Sequence, residues 1–373
     1  MQQGISGRIA EVFINSKLSI LLMVALMAIG MYSSTLIPRE EEPQIIVPMA
    51  DVMVGYPGAN PTEVENRVVK PLEKIISNIK GVEHVHSMAM NGKAMIIIQF
   101  YVGEDTERSY VKLYDEMMKN KNIFPKGVYE PLIKTRSIDD VPMLGLTLWS
   151  EKYSDFQLRQ MTEELASEVK KIKDVSLTNV IGGRSRQLQV IVDKDKMAES
   201  NVDALGIMEM IQANNGSSQS GSFTSNDQEY LVTTGEFLNS AEDVGNLVIG
   251  TSQNMPVYLK QVAKIEDGPS STKNYVNFGY GNATEKGKSF LSEYPAVTLS
   301  ISKVKGADAM QISEEILDQV ESLKKTLIPD DVHVEVTRNY GETASHKVSE
   351  LMSHLVIAIV AVTLLVMLAM GWR

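Results

Sequence analysis

YPGANPTEVENRVVKPLEKIISNIKGVEHV, residues Tyr56–Val85, runs from a turn through a helix into a strand. In Tyr56-Pro57-Gly58 the proline fixes φ and the glycine supplies the positive φ of a type II turn. Asn60-Pro61-Thr62-Glu63 starts a helix, with Asn as N-cap, Pro at the first helical position and Glu at the third. Val64, Val68, Leu72, Ile75, Ile76 and Ile79 follow at helical spacing, and Gly81 ends the run. Upstream, Gln44–Val54 reads as a strand. Downstream, Val82–Met90 and Lys93–Val102 form a hairpin across Asn91-Gly92. A second helix from about Asp105 to Lys121 and a strand near Val128–Ile133 complete a β-α-β-β-α-β unit, the ferredoxin-like split arrangement.

The pattern returns further on. Pro142–Ser150 is a strand, Ser154-Asp155-Phe156-Gln157 a capping box, and Leu158, Met161, Leu165, Val169 and Ile172 an apolar helical stripe. EVKKIKDVSLTNV at 168–180 echoes IISNIKGVEHV at 75–85, and TLIPDDVHVEVT at 326–337 echoes NIFPKGVYEPLI at 122–133. A strand at Tyr294–Val304 and a helix capped by Asp308 lie between. The second unit is thus split by an insertion, residues 185–272, itself a small α/β domain. Inside it, NNGSSQSGSFTSN at Asn214–Asn226 reads as a polar loop.

Outside these units lie two apolar stretches. Leu351–Trp372, LMSHLVIAIVAVTLLVMLAMGW, is long enough at about 1.5 Å per residue to cross a bilayer core. Residues 12–31 form a shorter candidate, with Lys17 able to snorkel to the headgroups; its uncharged run also has the length of a cleaved signal peptide's apolar core, although no clear small-x-small cleavage site follows it. Arg8, Lys17 and Arg373 place both termini in the cytoplasm and residues 35–345 outside.

Composition narrows the function. The chain has 373 residues, 43% of them hydrophobic, and a formal net charge of -11 with no long basic cluster, which argues against a nucleic-acid partner. The absence of cysteine excludes disulfides and thiolate chemistry. No P-loop, nucleophile triad or dinucleotide motif is present, so the chain does not read as an enzyme. Met88-x-Met90 and Met208-x-Met210 suggest soft-metal ligands, with core gap-filling as the plainer reading. His84-x-His86 shares one strand face but shows no third ligand. No metal site is expected.

LIPREEEPQIIVP, the YPGANPTEVENRVVKPLEKIISNIKGVEHV block, NIFPKGVYEP, RQLQVIVDKDKMAESNVD, MPVYLKQVAKIEDGP and the terminal GWR together resemble the N-terminal third of a resistance-nodulation-division (RND) efflux permease of the hydrophobe/amphiphile (multidrug, acriflavin-resistance) branch. The resemblance implies a proton-driven, multi-pass inner-membrane homotrimer. Its periplasmic porter domain would take amphiphilic small molecules and pass them through a periplasmic adaptor to an outer-membrane channel. It implies an α+β membrane protein with this division: 1–34, tail and first transmembrane helix; 35–134, first porter subdomain; 135–184 and 273–342, second porter subdomain; 185–272, docking-domain insertion; 343–373, second transmembrane helix. The loop at 214–228 would be an arm reaching the neighbouring subunit. No cofactor is implied. The family's proton-relay residues lie in later helices, and its C-terminal porter subdomains also lie beyond this chain, which therefore reads as the front of a longer protein or as a truncated product. The implied substrate path comprises Lys134, Arg136, Asp140 and Pro142, then Asn179, Val180 and Ile181, then Lys273, Asn274 and Tyr275, and finally Tyr340. Pro142 and Ile181 stand where drug pumps carry Phe, which implies a more polar or aliphatic pocket. A heavy-metal (Cu/Ag-type) exporter of the same family, or a membrane-anchored periplasmic binding or scaffold protein, are the other readings.

Overall fold

The computed structural model describes residues 16–40, 45–252, 254–281, 283–284, 292–324 and 326–370, a mixed α/β arrangement. Helix α1, Lys17–Leu36, comes first. Strand β1, Met49–Gly55, then leads into α2, Pro61–Val64, whose Asn60 cap is as read: Asn60 accepts from the Glu63 amide at 2.9 Å and Glu63 accepts from the Asn60 amide at 3.1 Å. The helix then widens into a π turn at Glu65–Val69 before α3, Lys70–Ile76. Pro71 has no N–H to donate, and a wide turn directly ahead of it absorbs the missing bond. Strands β2, Val82–Met90, and β3, Lys93–Phe100, α4, Thr106–Lys119, and β4, Leu132–Arg136, complete a four-stranded antiparallel sheet in the order β2-β3-β1-β4. Val64, Val68, Leu72, Ile76 and Leu113 cover only one face, against Ala50, Val52, Val54, Ile96, Ile98 and Phe100.

The second sheet repeats this plan. Strand β5, Leu144–Trp149, α5, Asp155–Val169, and β6, Val175–Ile181, come before the insertion. After it come β13, Asn277–Phe278, β14, Tyr294–Lys303, α10, Ala309–Leu323, and β15, His333–Asn339. Strand β14 pairs with β5 on one side and with β6 and β13 on the other, and β15 pairs with β5. The order β6-β14-β5-β15 therefore matches the first sheet strand for strand. Leu144, Leu146, Leu148, Val297, Leu299 and Ile301 meet Leu158, Leu165, Ile312, Ile316 and Val320 in its core.

The intervening segment leaves and returns along one ladder. Strand β7, Arg186–Val192, pairs over its whole length with β12, Ala263–Pro269. Between them lie α6, Lys194–Glu199; α7, Ala204–Asn214; β8, Ser218–Ser225; β9, Gln228–Thr234; α8, Ala241–Gly245; β10, Val248–Ser252; β11, Met255–Tyr258; and α9, Leu259–Val262. Ile207, Val244, Ile249, Val257, Leu259 and Val262 form a separate small core.

Three expectations need correction. The stretch Asn214–Asn226 is not a loop: β8 and β9 make a two-stranded ribbon with every residue of both strands exposed. Asn226 and Asp227 both take positive φ, 53° and 59°, the geometry of a type I′ hairpin turn. Strand β4 continues to Arg136, so a boundary at 134 cuts a strand of the first sheet. A boundary at 342/343 falls inside α11, Tyr340–Met370, which begins directly after β15. Of the two expected spans, one helix among the described residues, Tyr340–Ala369, is long and apolar enough to cross a membrane, its most apolar 18-residue stretch having a mean hydropathy of 2.6. Residues 12–15 of the first expected span lie outside the described residues, and the apolar part of α1 is the shorter Ser19–Ser33.

Candidate functional site

A cavity of about 560 Å³ opens where the edge of the second sheet meets the β7–β12 ladder. The chain crosses this junction twice, through Gly182–Ser185 and again through Ser270–Asn274. The first crossing turns on Gly182 and Gly183, with φ of 88° and 66°. A Cβ on Gly182 would come within 2.6 Å of the Val276 side chain, and one on Gly183 within 2.6 Å of the Asp155 carbonyl. Only glycine fits this turn so close to its neighbours.

The first turns of α5 hold the crossing in place. Ser154 and Gln157 form the expected capping box, which orients Asp155 and, one turn later, Arg159. Arg159 Nη1 donates to the Gly182 carbonyl at 2.8 Å, while its Nε donates to Glu163 at 2.8 Å. Arg184 grips the Asp155 carboxylate through Nε and Nη2 at 2.8–3.1 Å, and its backbone amide donates to the same group at 3.1 Å. That guanidinium holds the Asp155 carboxyl below the usual carboxylate range, and Asp155 in turn raises Arg184. On the ladder, Arg186 Nε donates to Asp267 at 2.8 Å and lowers its carboxyl in the same way.

Of the residues expected on a substrate path, the cavity gathers Val180, Ile181, Lys273 and Asn274. Ile181 is exposed, whereas Val180 packs toward the helices of the second core. Asn179 and Ile181 alternate on the helix-free side of β6, and Tyr275, 81% exposed, follows Asn274. The others lie elsewhere. Lys134 and Arg136 belong to β4 of the first sheet, where Arg136 pairs with buried Asp51. Asp140 closes a 3₁₀ turn at Ile138–Asp140 by accepting from the Ser137 amide at 2.8 Å, and Pro142 precedes β5 rather than lying in it. Tyr340 packs on the second core under the Arg338 guanidinium, 4.9 Å from its ring. The sequence reading missed Arg159, Arg184, Gln187 and Ser270, which also line the cavity. Lys273 brings a cation to a wall shared with exposed Ile181, while Arg159 and Arg184 line the cavity with their charges already met by Glu163 and Asp155, an arrangement suited to an amphiphile with an anionic or hydrogen-bonding end. Among the described residues no group of three His, Asp or Glu is placed to hold a metal ion.

A model of the AcrB/AcrD/AcrF family matches residues 9–371. The multidrug resistance protein MdtC of Yersinia enterocolitica serotype O:8 is 26% identical over 350 residues, covering 93% of this chain and 33% of the relative. Its counterparts in Serratia proteamaculans and Proteus mirabilis are each 25% identical, covering 93% and 91% of this chain and 33% and 32% of themselves. The chain thus spans about a third of the length of these curated relatives.

Proposed function

We propose, from the premise that the chain belongs to the AcrB/AcrD/AcrF family of transporters, that it forms the N-terminal part of a proton-driven efflux permease of the bacterial inner membrane. The first sheet and the split second sheet are its two porter subdomains, and residues 185–272 are its share of a docking domain. Helices α1 and α11 cross the membrane, and both termini lie in the cytoplasm. The β8–β9 ribbon is the arm that engages a neighbouring subunit of a homotrimer. A periplasmic adaptor and an outer-membrane channel complete the route. The chain is not an enzyme and carries no cofactor in this reading.

The observation that supports substrate capture is the cavity at Ile181, Lys273, Arg159 and Arg184. It joins exposed Ile181 to the Lys273 ammonium, beside the ion-paired Arg159 and Arg184, at the boundary of two units, where ligands are commonly bound. Amphiphilic small molecules fit that lining. The test is accumulation of a fluorescent amphiphile in pump-deficient cells carrying the gene that encodes this chain in its natural context. Accumulation should fall on expression and recover with a protonophore. Lys273→Glu and Ile181→Asp should each restore accumulation by severalfold at unchanged protein level. Wild-type-like efflux by both variants would overturn the role given to the cavity. Efflux untouched by the protonophore would overturn proton drive.

A further inference from the structure

The first sheet has one face free of helices, and its pairing register fixes what lies there. Residues directly opposite in an antiparallel pair share a face, with Cβ atoms about 4.5–5.5 Å apart. Met88 pairs with Met95, and Met95 pairs on its other side with Met53. Three methionines therefore form a single row across β2, β3 and β1. The next row is His86, Ile97 and Asp51, and the one beyond it is His84, Gln99 and Met49. The His84 and His86 rings lie 6.0 Å apart. None of Met53, Met88 and Met95 belongs to the core beneath, and Met88 is 44% exposed. Met88-x-Met90, read from sequence as core filling, is thus on the open face.

We propose that this face binds a soft monovalent cation, Cu(I) or Ag(I), through the thioethers of Met53, Met88 and Met95, with the His86 imidazole as a fourth donor. Thioether ligands select such soft ions over hard ones, and imidazole, which also suits copper, is compatible with them. Methionine's flexible stem lets the two outer sulfurs swing toward the central one, spanning about two strand spacings of 4.8 Å. His86 lies two residues from Met88 on the same strand face and diagonal to Met95. Asp51, 3% exposed, lies in the adjacent row, its Oδ2 held by Arg136 and its Oδ1 without a hydrogen-bond partner. The cations of this face, Lys93, Lys134 and Arg136, fall in the rows of Met90, Asp51 and Met49 rather than in the methionine row, and the Arg136 guanidinium is engaged by Asp51. The inference rests on sheet register alone and stands whether or not the efflux reading holds.

The test uses the full chain in detergent, labelled with ¹³C at the methionine methyls and titrated with Ag(I), with Cu(I) binding measured against a chromophoric Cu(I) chelator under reducing conditions. Ag(I) should shift the methyl signals of Met53, Met88 and Met95 together, at one equivalent, ahead of the remaining methionines. Leucine is close in size, so Met53→Leu, Met88→Leu and Met95→Leu keep the face covered. Each should weaken Cu(I) binding at least tenfold, while the control Met208→Leu leaves it unchanged. His86→Ala should weaken it less. Simultaneous shifts across all methionines, or a triple leucine variant that binds as wild type, would overturn the site.

Discussion

Asp155 draws its stabilisation from two sources. It lies in the first turn of α5, where backbone amides favour a negative charge, and it accepts the Arg184 fork. Because Arg184 lowers its folded pKa, the gain is complete above the ordinary carboxylate value of about 3.9 and is lost as pH falls through the lower folded value. Asp155→Asn should cost about 1 kcal/mol at neutral pH, since the pair is only partly buried. Melting curves from pH 7 downward should show wild type and variant converging below the carboxylate range; a constant gap at every pH would contradict the assignment. The same residue shows what a sequence conceals. Ser154–Gln157 was legible as a cap because its partners are three residues apart. Arg184 was not, because only the fold brings it back to the start of α5.

Between elements, residues 39–40 at the exit of α1 form a strap. Arg39 and the start of α10 exchange two bonds: the Arg39 amide donates to Asp308 and the Ala309 amide donates to the Arg39 carbonyl, both at 3.1 Å. Lys303 then meets Glu40 at 3.0 Å, with the two side chains only 12% and 16% exposed. Removing one member of a buried pair strands the other, whereas replacing both with apolar groups does not. Glu40→Leu and Lys303→Met should each cost about 2 kcal/mol, and the double variant should recover much of that loss. Hydrogen exchange at the Ala309 amide reads the strap locally and should accelerate in the single variants; additive losses in the double variant would mean that the pair is not coupled. Elements that bury a face were readable from their period, as with the helix after Asn60 and the stripe of α5. The β8 strand, SQSGSFTS, buries neither face and shows no alternation. It is held by the Asn226-Asp227 turn and its ladder, so its polarity pointed to a loop. The cavity was half legible for a different reason: Ile181, Lys273 and Asn274 were implied by the family resemblance, while Arg159 arrives from a helix that the resemblance did not mark.

For the molecule as a whole, the decisive surface is that of α1 and α11. In α11, Leu351, Ile357, Val362 and Leu365 are 63–67% exposed, and in α1, Leu21, Met27 and Ile29 are 60–68% exposed. Apolar helices bare on all sides call for lipid rather than water. The apolar part of α11 is reached without a linker. It follows β15 directly, and Gly341 brings it against α10 so closely that a Cβ there would stand 2.5 Å from the Ala309 carbonyl. No loop therefore separates the second sheet from the apolar segment. The chain contains no cysteine, so single introduced thiols report topology without background. With an impermeant maleimide on intact spheroplasts, Asp227→Cys on the ribbon should label within minutes. Val24→Cys and Ala361→Cys should stay unlabelled there and in opened membranes, and react only after detergent extraction under denaturing conditions. Rapid labelling of Ala361→Cys in intact spheroplasts would remove α11 from the bilayer. The same result confined to Val24→Cys would leave α11 as the sole span and place the start of the chain on the membrane surface.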